Sequence, residues 1–192
     1  MDKLVPNGPE QVVYEGKIFE VVKKPFKAGD KEVMFEIARR SPGTRLIVVK
    51  DDKLLLVKEF RTELDDYDYR LPGGKVFNTL EMYREFLSKD EDIMPYAKKA
   101  AIAEGKEEVG ISVNSLTHFK TAVAGATVKW DLFYFVVEEF EELDSQNLEV
   151  GEVIHPEWVS IKEIKKLIID GKMKEDRTIG VLSKYLIVNG FW

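Results

Sequence analysis

The sequence contains no cysteine, and this absence removes several kinds of chemistry at once. Disulfide bonds, thiolate metal sites and cysteine nucleophiles are excluded, and the composition is compatible with a reducing compartment. Apolar runs are also short: none approaches the roughly 20 residues that a membrane-spanning helix needs. The N-terminal stretch MDKLVPNGPEQ lacks the basic and apolar regions of a signal peptide. We therefore expect a cytoplasmic protein that does not bind a membrane.

Positive charge is outnumbered by negative charge. The 192 residues include 29 lysines and arginines against 35 acidic residues, which gives a formal charge of -6. The basic residues are scattered rather than gathered into a stripe, and this argues against a nucleic-acid partner. With 44% hydrophobic residues, the chain is long enough for one well-packed domain, or for a domain with a small extension.

The order of predicted elements indicates an α+β fold. Residues 12–26 and 31–40 alternate apolar and polar side chains around a turn signal, which predicts a small antiparallel meander. Residues 44–60 form two apolar runs joined by Asp51-Asp52, as in a hairpin. Helical patterns and further strands follow, with predicted helices at 78–89, from about Pro95, at 161–170 and at 177–189. This order favours a mixed-sheet sandwich over a doubly wound nucleotide fold.

Three glutamates stand out in the helix that begins near Pro95. Glu104, Glu107 and Glu108 have i, i+3 and i+4 spacing, so their side chains crowd one helix face. Like charges at this spacing cost roughly 0.2–0.5 kcal/mol per pair, and Gly105 in the same turn costs about 1 kcal/mol relative to alanine. Local stability does not explain the stretch. It is either a solvated acidic face or a set of carboxylates that holds a metal ion.

The glutamates also belong to a longer pattern. LPGGKV at 71–76, followed by AEGKEEVGI at 103–111, resembles the signature of the Nudix hydrolases. The sequences VVYEGKIFEVV, LLLVKEFR and RLPGGKV, with the C-terminal run from WVS, are similar to the ADP-ribose pyrophosphatase branch of that family. The resemblance implies a Nudix-type mixed β-sheet sandwiched between helices. It divides the chain into an N-terminal β meander at 1–42 and a hydrolase domain at 43–192.

The chain departs from the family pattern at several positions. Ala103 replaces the arginine before the first motif glutamate, and Gly105 replaces an aliphatic residue. Leu80 stands where the pattern has its early glutamate, with Glu81 one position late. Residues 80–94 read as an insertion inside the motif, which is predicted to be a lid, a dimer contact or a surface excursion.

The resemblance assigns a metal site to the helix. Glu104 and Glu108 would be the main ligands of Mg²⁺ or Mn²⁺, with a backbone carbonyl near Gly74, because hard oxygen ligands suit these ions. Glu107 would hold bound waters or a second ion. A general base is needed within about 3 Å of the attacking water. The resemblance places it at Glu152, with Glu149 as the alternative.

Substrate contacts are predicted on the same basis. Arg61 lies where the family has an arginine that reaches substrate phosphates, and the planar fork of arginine fits that task. Arg40 and Arg39 are weaker candidates. An aromatic residue would stack on the base, and the candidates are Tyr14, Phe19 and Trp130.

These assignments predict a hydrolase that splits the pyrophosphate of a nucleoside diphosphate sugar, with ADP-ribose as the first candidate. The products would be a nucleoside monophosphate and a sugar phosphate. Another such sugar or a dinucleotide is the nearest alternative, and a catalytically weak nucleotide-binding module of the same fold is the other. The meander at 1–42 predicts a homodimer, because an isolated hairpin is marginally stable.

Overall fold

The computed structural model describes residues 3–148 and 153–192, which form eleven strands and four helices. The strands are β1 (Val5–Pro6), β2 (Gln11–Glu15), β3 (Phe19–Ala28), β4 (Lys31–Arg40), β5 (Gly43–Lys50), β6 (Lys53–Arg61), β7 (Asp66–Arg70), β8 (Ile111–Ala122), β9 (Val128–Lys129), β10 (Leu132–Glu142) and β11 (Ile154–Ser160). The helices are α1 (Leu80–Leu87), α2 (Met94–Val109), α3 (Ile161–Ile169) and α4 (Asp176–Val188).

The chain divides into two compact units, each built from three segments. One unit contains the segments Met1–Pro42, Lys75–Asp92 and Val123–Asp131. The other contains Gly43–Gly74, Ile93–Ala122 and Leu132–Trp192. The division into functional domains at 1–42 and 43–192 stays a prediction.

The first unit is organised around the antiparallel pair β3 and β4, which matches the predicted meander. Phe19 pairs with Arg40 and Ala28 with Lys31, so the two strands are in register over their whole length. Strands β1 and β2 pair with β3, and β9 adds to β4 in parallel. The sheet order is therefore β1-β3-β4-β9, with β2 off this path.

Helix α1 lies in the predicted insertion and packs within the first unit. The side chain of Thr79 caps its first turn by accepting from the Met82 N–H at 3.2 Å. Tyr83 stacks on Phe77 with ring centroids 5.5 Å apart, and burial raises the pKa of Tyr83 to about 12. The inserted segment therefore contributes a buried aromatic face to this unit.

The second unit has a mixed sheet in the order β11-β6-β5-β10-β8, with β7 paired to β6. β10 runs parallel to β5, and the other pairs are antiparallel. Asp51 and Asp52 have φ angles of 51° and 55°, as a two-residue hairpin turn requires. The predicted hairpin is thus present as β5 and β6.

Helix α2 lies close to this sheet because its inner face is made of small residues. Ala97, Ala101 and Gly105 are buried at four-residue intervals. A β-carbon added to Gly105 would lie 3.1 Å from Val113 Cγ2 and 3.2 Å from Leu46 Cδ1. The helical cost of Gly105 is therefore offset by close packing on the sheet.

The predicted fold class, an α+β fold with a mixed sheet between helices and an N-terminal antiparallel meander, is confirmed. Helices α3 and α4 pack on β11 and β8, respectively. Within residues 3–148 and 153–192, no helix has both the length and the apolar character that crossing a bilayer demands.

Candidate functional site

The C-terminal half of α2 meets the turn that follows β7. The carboxylate of Glu108 accepts a hydrogen bond from the Gly73 N–H, with Oε2 and N 2.6 Å apart. This short distance is typical of a charge-assisted bond. Glu108 is therefore held in place by the backbone of the turn rather than left to extend into solvent.

Glu104 reaches the next residue of the same turn. A β-carbon added to Gly74 would lie only 1.9 Å from Glu104 Oε1, so the carboxylate occupies the space that any side chain at position 74 would need. Gly73 is restricted as well: its φ is +143°, and a β-carbon there would lie 2.2 Å from the Thr44 carbonyl oxygen. The two glycines let the backbone approach both carboxylates.

Three of the predicted metal-site residues thus lie together: Glu104, Glu108 and Gly74. The Gly74 carbonyl already accepts the Thr44 N–H at 2.8 Å. The side chain of Glu107 is half-buried, and its backbone carbonyl accepts the Asn147 N–H at 3.0 Å. The metal-binding roles of these residues stay predictions.

A divalent ion fits the carboxylate pair by donor chemistry. Within the described parts of the chain, no group of three or more His, Asp or Glu residues is placed to hold a metal ion. Mg²⁺, however, often keeps several waters and is bound through one or two carboxylates plus substrate phosphates. Glu104 and Glu108, four residues apart on one helix face, supply such a pair.

Glu152, the predicted general base, and its alternative Glu149 lie outside the described residues. The described residues just before them are held at the end of α2. Gln146 Nε2 donates to the Glu108 carbonyl and lies 3.4 Å from the Ile154 carbonyl oxygen. The base assignment therefore stays a prediction.

Arg45 lies behind the turn, and sequence reasoning missed it. Its side chain is buried, and Nη1 donates to the Gly73 carbonyl at 3.2 Å. Its acidic neighbour is Glu175, with Nη2 and Oε2 3.5 Å apart. The available signal was a charged residue at the start of the apolar run LIVV in β5.

Glu175 is held ionised by its surroundings. Burial alone would raise the pKa of Glu175, but the Arg45 guanidinium, the Thr178 hydroxyl and the charges of Arg70 and Arg177 together outweigh burial and hold this pKa below its usual value. Thr178 Oγ1 donates to the Glu175 carboxylate at 2.7 Å. This acid therefore supports the cation behind the turn.

Arg61, the predicted phosphate ligand, lies at the end of β6 between two acids. Its Nη1 is 3.0 Å from both carboxylate oxygens of Glu59, and its Nε donates to Glu63 at 2.9 Å. Burial lowers the pKa of Arg61, but these acids outweigh it and leave the pKa above its usual value. A substrate phosphate would have to compete with these carboxylates, and the predicted role is untested.

In the first unit, Arg40 and Trp130 are in contact. The guanidinium carbon lies 4.4 Å from the centroid of the indole ring, a cation–π arrangement. Arg39 is instead tied to Glu20 at 2.6 Å and to Glu10 at 2.7 Å. Two candidates for substrate binding, Arg40 and Trp130, thus contact each other, whereas Arg39 is part of an ion-pair network.

The other two aromatic candidates also lie in the first unit. Tyr14 and Phe19 are exposed, with ring centroids 5.6 Å apart. They form an apolar surface at the ends of β2 and β3. Their role as a base-stacking site stays a prediction.

Comparison with known proteins gives a fold and nothing finer. No protein-family model matches the sequence, and neither does any curated protein. A solved structure described as "Crystal structure of ADP compounds hydrolase" matches with a TM-score of 0.72 and 18% sequence identity. The match covers 99% of this chain and 97% of that one. The chain therefore shares the fold of that hydrolase over nearly its whole length.

Proposed function

We propose that the protein is a metal-dependent hydrolase of the Nudix type that cleaves the pyrophosphate of a nucleoside diphosphate sugar. The first candidate substrate is ADP-ribose, and the products would be AMP and ribose 5-phosphate. The observation that carries this proposal is the meeting of Glu104 and Glu108 with the Gly73-Gly74 turn. The fold shared with an ADP compounds hydrolase supports it.

In this proposal, Glu104 and Glu108 hold Mg²⁺ or Mn²⁺. A bound ion would neutralise charge on the phosphate oxygens and lower the pKa of a bound water. The two carboxylates repel each other at i, i+4 spacing, and the Gly73 N–H offsets part of that repulsion by holding Glu108.

The proton acceptor for the attacking water is proposed to be Glu152, with Glu149 as the alternative. Glu107 would orient bound waters. Support for an acid from 149–152 comes from the described neighbours of that segment, because Gln146 and Asn147 are bonded to the backbone of α2 at Glu108 and Glu107.

Substrate binding is proposed for Arg61 and Arg40. Arginine binds phosphate oxygens through two parallel N–H donors. The contact of Arg40 with Trp130 places a guanidinium beside an aromatic ring, and both kinds of group can stack on a nucleobase.

A homodimer through residues 1–42 is part of the proposal, as is a cytoplasmic location, which rests on composition alone. Support for the dimer comes from apolar side chains that the first unit leaves exposed: Val12, Val13, Tyr14, Ile18, Phe19, Val33 and Met34. Exposed apolar groups in such number are typical of an interaction surface.

A nucleotide-binding module with weak or no turnover is the second candidate. One observation favours it: the described residues contain no acidic group of three that could hold a metal ion. Ala103, which replaces the motif arginine, is exposed on α2 and contributes no cation beside Glu104.

One experiment separates the two candidates. The protein is incubated with ADP-ribose, other nucleoside diphosphate sugars and dinucleotides in Mg²⁺ or Mn²⁺, and release of nucleoside monophosphate is followed. Turnover that falls by orders of magnitude in Glu108→Gln would support the hydrolase. Glu85→Gln, the same change at an exposed position of α1, is the matched control. Binding without turnover would overturn the enzyme proposal and favour the module.

A further inference from the structure

Arg45 is a buried cation inside an apolar strand. It is 7% exposed, while the next residues along β5, Leu46 and Ile47, are 0% exposed. Removing a guanidinium from water is costly unless its charge and its donors are satisfied by the protein. The hydrogen-bond partners of Arg45 therefore indicate which part of the protein it stabilises.

Those contacts favour the backbone over the acidic neighbour. Nη1 donates to the Thr44 carbonyl at 2.8 Å and to the Gly73 carbonyl at 3.2 Å, while the distance to Glu175 is 3.5 Å. Nε is buried and has no hydrogen-bond partner among the described residues. The guanidinium thus links β5 to the turn by hydrogen bonds to two carbonyls, and Glu175 is a more distant counter-ion.

Gly73 is held at both of its polar atoms. Arg45 binds its carbonyl, and the Glu108 carboxylate accepts from its N–H at 2.6 Å. Its φ of +143° and the closeness of the Thr44 carbonyl leave no room for a side chain. Glycine has more backbone freedom than any other residue type, so hydrogen bonds are needed to fix the conformation of Gly73.

We infer that Arg45 is a positioning residue. The peptide that contains the Gly73 N–H is held at the Pro72 carbonyl by the Leu46 N–H at 2.8 Å, and Arg45 holds the next peptide at the Gly73 carbonyl. By fixing this second peptide, Arg45 fixes the backbone rotation at Gly73 that keeps its N–H directed at Glu108. Gly74 follows directly, and its backbone lies against Glu104. The contacts of Arg45 therefore affect the positions of both carboxylates. The effect of Arg45 on catalysis rests on the proposed function, but its effect on Gly73 does not.

The test observes the Gly73 amide directly. Only Pro42-Gly43 and Pro72-Gly73 are Pro-Gly pairs in this chain. Protein labelled with ¹³C-carbonyl proline and ¹⁵N glycine therefore gives two amide signals in a carbonyl-selected NMR spectrum, and Pro42→Ala identifies the one from Gly43. In Arg45→Gln, the Gly73 amide proton should move upfield, because its short bond to a carboxylate is lost.

Arg177→Gln is the matched control. Arg177 lies 3.7 Å from Glu175, so the variant removes the same charge near the same acid and should leave the Gly73 signal where it is. If Arg45→Gln does not fold, Arg45→Lys replaces it: the single ammonium nitrogen keeps the charge but cannot reproduce the Nη1 contacts with both carbonyls and the Nη2 contact with Glu175 at once, and the Gly73 signal should again move. An unmoved Gly73 signal in the folded variant would overturn the inference.

Metal affinity provides a second reading without turnover. Mn²⁺ binding, measured by calorimetry, should weaken about tenfold in Arg45→Gln, as when a residue behind a metal ligand is removed, and it should be unchanged in Arg177→Gln. Equal weakening in both variants would overturn the positioning role. If the Gly73 signal moves in Arg45→Gln but the wild-type protein hydrolyses none of the substrates, the proposed function is refuted and this inference stands.

Discussion

Acidic side chains are arranged differently in the two units of the chain. In the first unit, Glu20 is 0% exposed and meets two guanidinium groups, Arg39 at 2.6 Å and Arg84 at 2.7 Å. In the second unit, Glu104 and Glu108 have the same sign, share one helix face and are half-buried. An acid fully buried between two guanidinium groups is a structural element, whereas two acids on one helix face beside a glycine turn form a candidate binding site.

The largest effect on stability is expected for Glu20→Gln. This change leaves Arg39 and Arg84 without their shared buried carboxylate, and breaking a buried ion pair typically costs about 3–5 kcal/mol. Urea denaturation of the purified protein measures the loss. Glu15→Gln is the control, because Glu15 is an exposed partner of the same Arg84 and exposed pairs contribute about 0–1 kcal/mol. Equal losses in both variants would contradict a special role for Glu20.

Glu175→Gln should have the next largest effect, and a pH dependence. Hydrogen bonds to charged groups contribute about 1.5–3 kcal/mol, so a loss of that order is expected at neutral pH. The pKa of Glu175 is lower in the folded protein than in the unfolded chain, so its contribution is complete above the unfolded value of about 4.3. It is lost as the pH falls through the folded pKa.

The measurement is the free energy of unfolding of both proteins between neutral pH and strongly acidic pH. The difference between wild type and Glu175→Gln should shrink as the pH falls. A difference that stays constant would show that the carboxylate of Glu175 stabilises the fold by its shape and not by its charge.

Two adjacent glycines offer a finer comparison. Gly73→Ala should destabilise the protein by about 1–3 kcal/mol, the usual cost of a strained backbone, because the added carbon would lie 2.2 Å from the Thr44 carbonyl oxygen. Gly74→Ala displaces only the flexible end of Glu104, so its unfolding free energy should change less. Thermal denaturation of the two variants and Mn²⁺ calorimetry check this pair. If Gly74→Ala loses as much stability as Gly73→Ala and still binds Mn²⁺ like the wild type, the predicted site is contradicted.

The local parts of this site were predictable from the sequence. The spacing of Glu104 and Glu108 is fixed by helix geometry, and the Pro-Gly-Gly turn is a local signal. The hairpin at Asp51-Asp52 was predictable for the same reason.

Contacts between residues far apart in the chain were not predictable. Arg45 and Glu175 are 130 positions apart, and neither residue carries a local sign of its partner. The two-residue strand β9 is too short for any periodicity, and its place beside β4 is set by the sheet. Local patterns can also mislead: at the start of α3, Ser160 and Glu163 have the spacing of a capping box. Their side chains bond to each other at 2.5 Å, and the Ser160 side chain does not cap the helix.

Glu104→Gln is expected to have the smallest effect on stability and the largest effect on the proposed function. Glu104→Gln removes one of two like charges whose repulsion at i, i+4 spacing is about 0.2–0.5 kcal/mol, so the free energy of unfolding, measured by urea denaturation, should change by about that amount or less. Mn²⁺ binding should be lost in the same variant, because an amide oxygen replaces a charged ligand. Glu81→Gln, an exposed acid of α1, should change neither quantity. A stabilised protein that no longer binds the ion would show that the acids of α2 are kept for function at the expense of stability, whereas a destabilised one would place Glu104 with Glu20 among the structural charges.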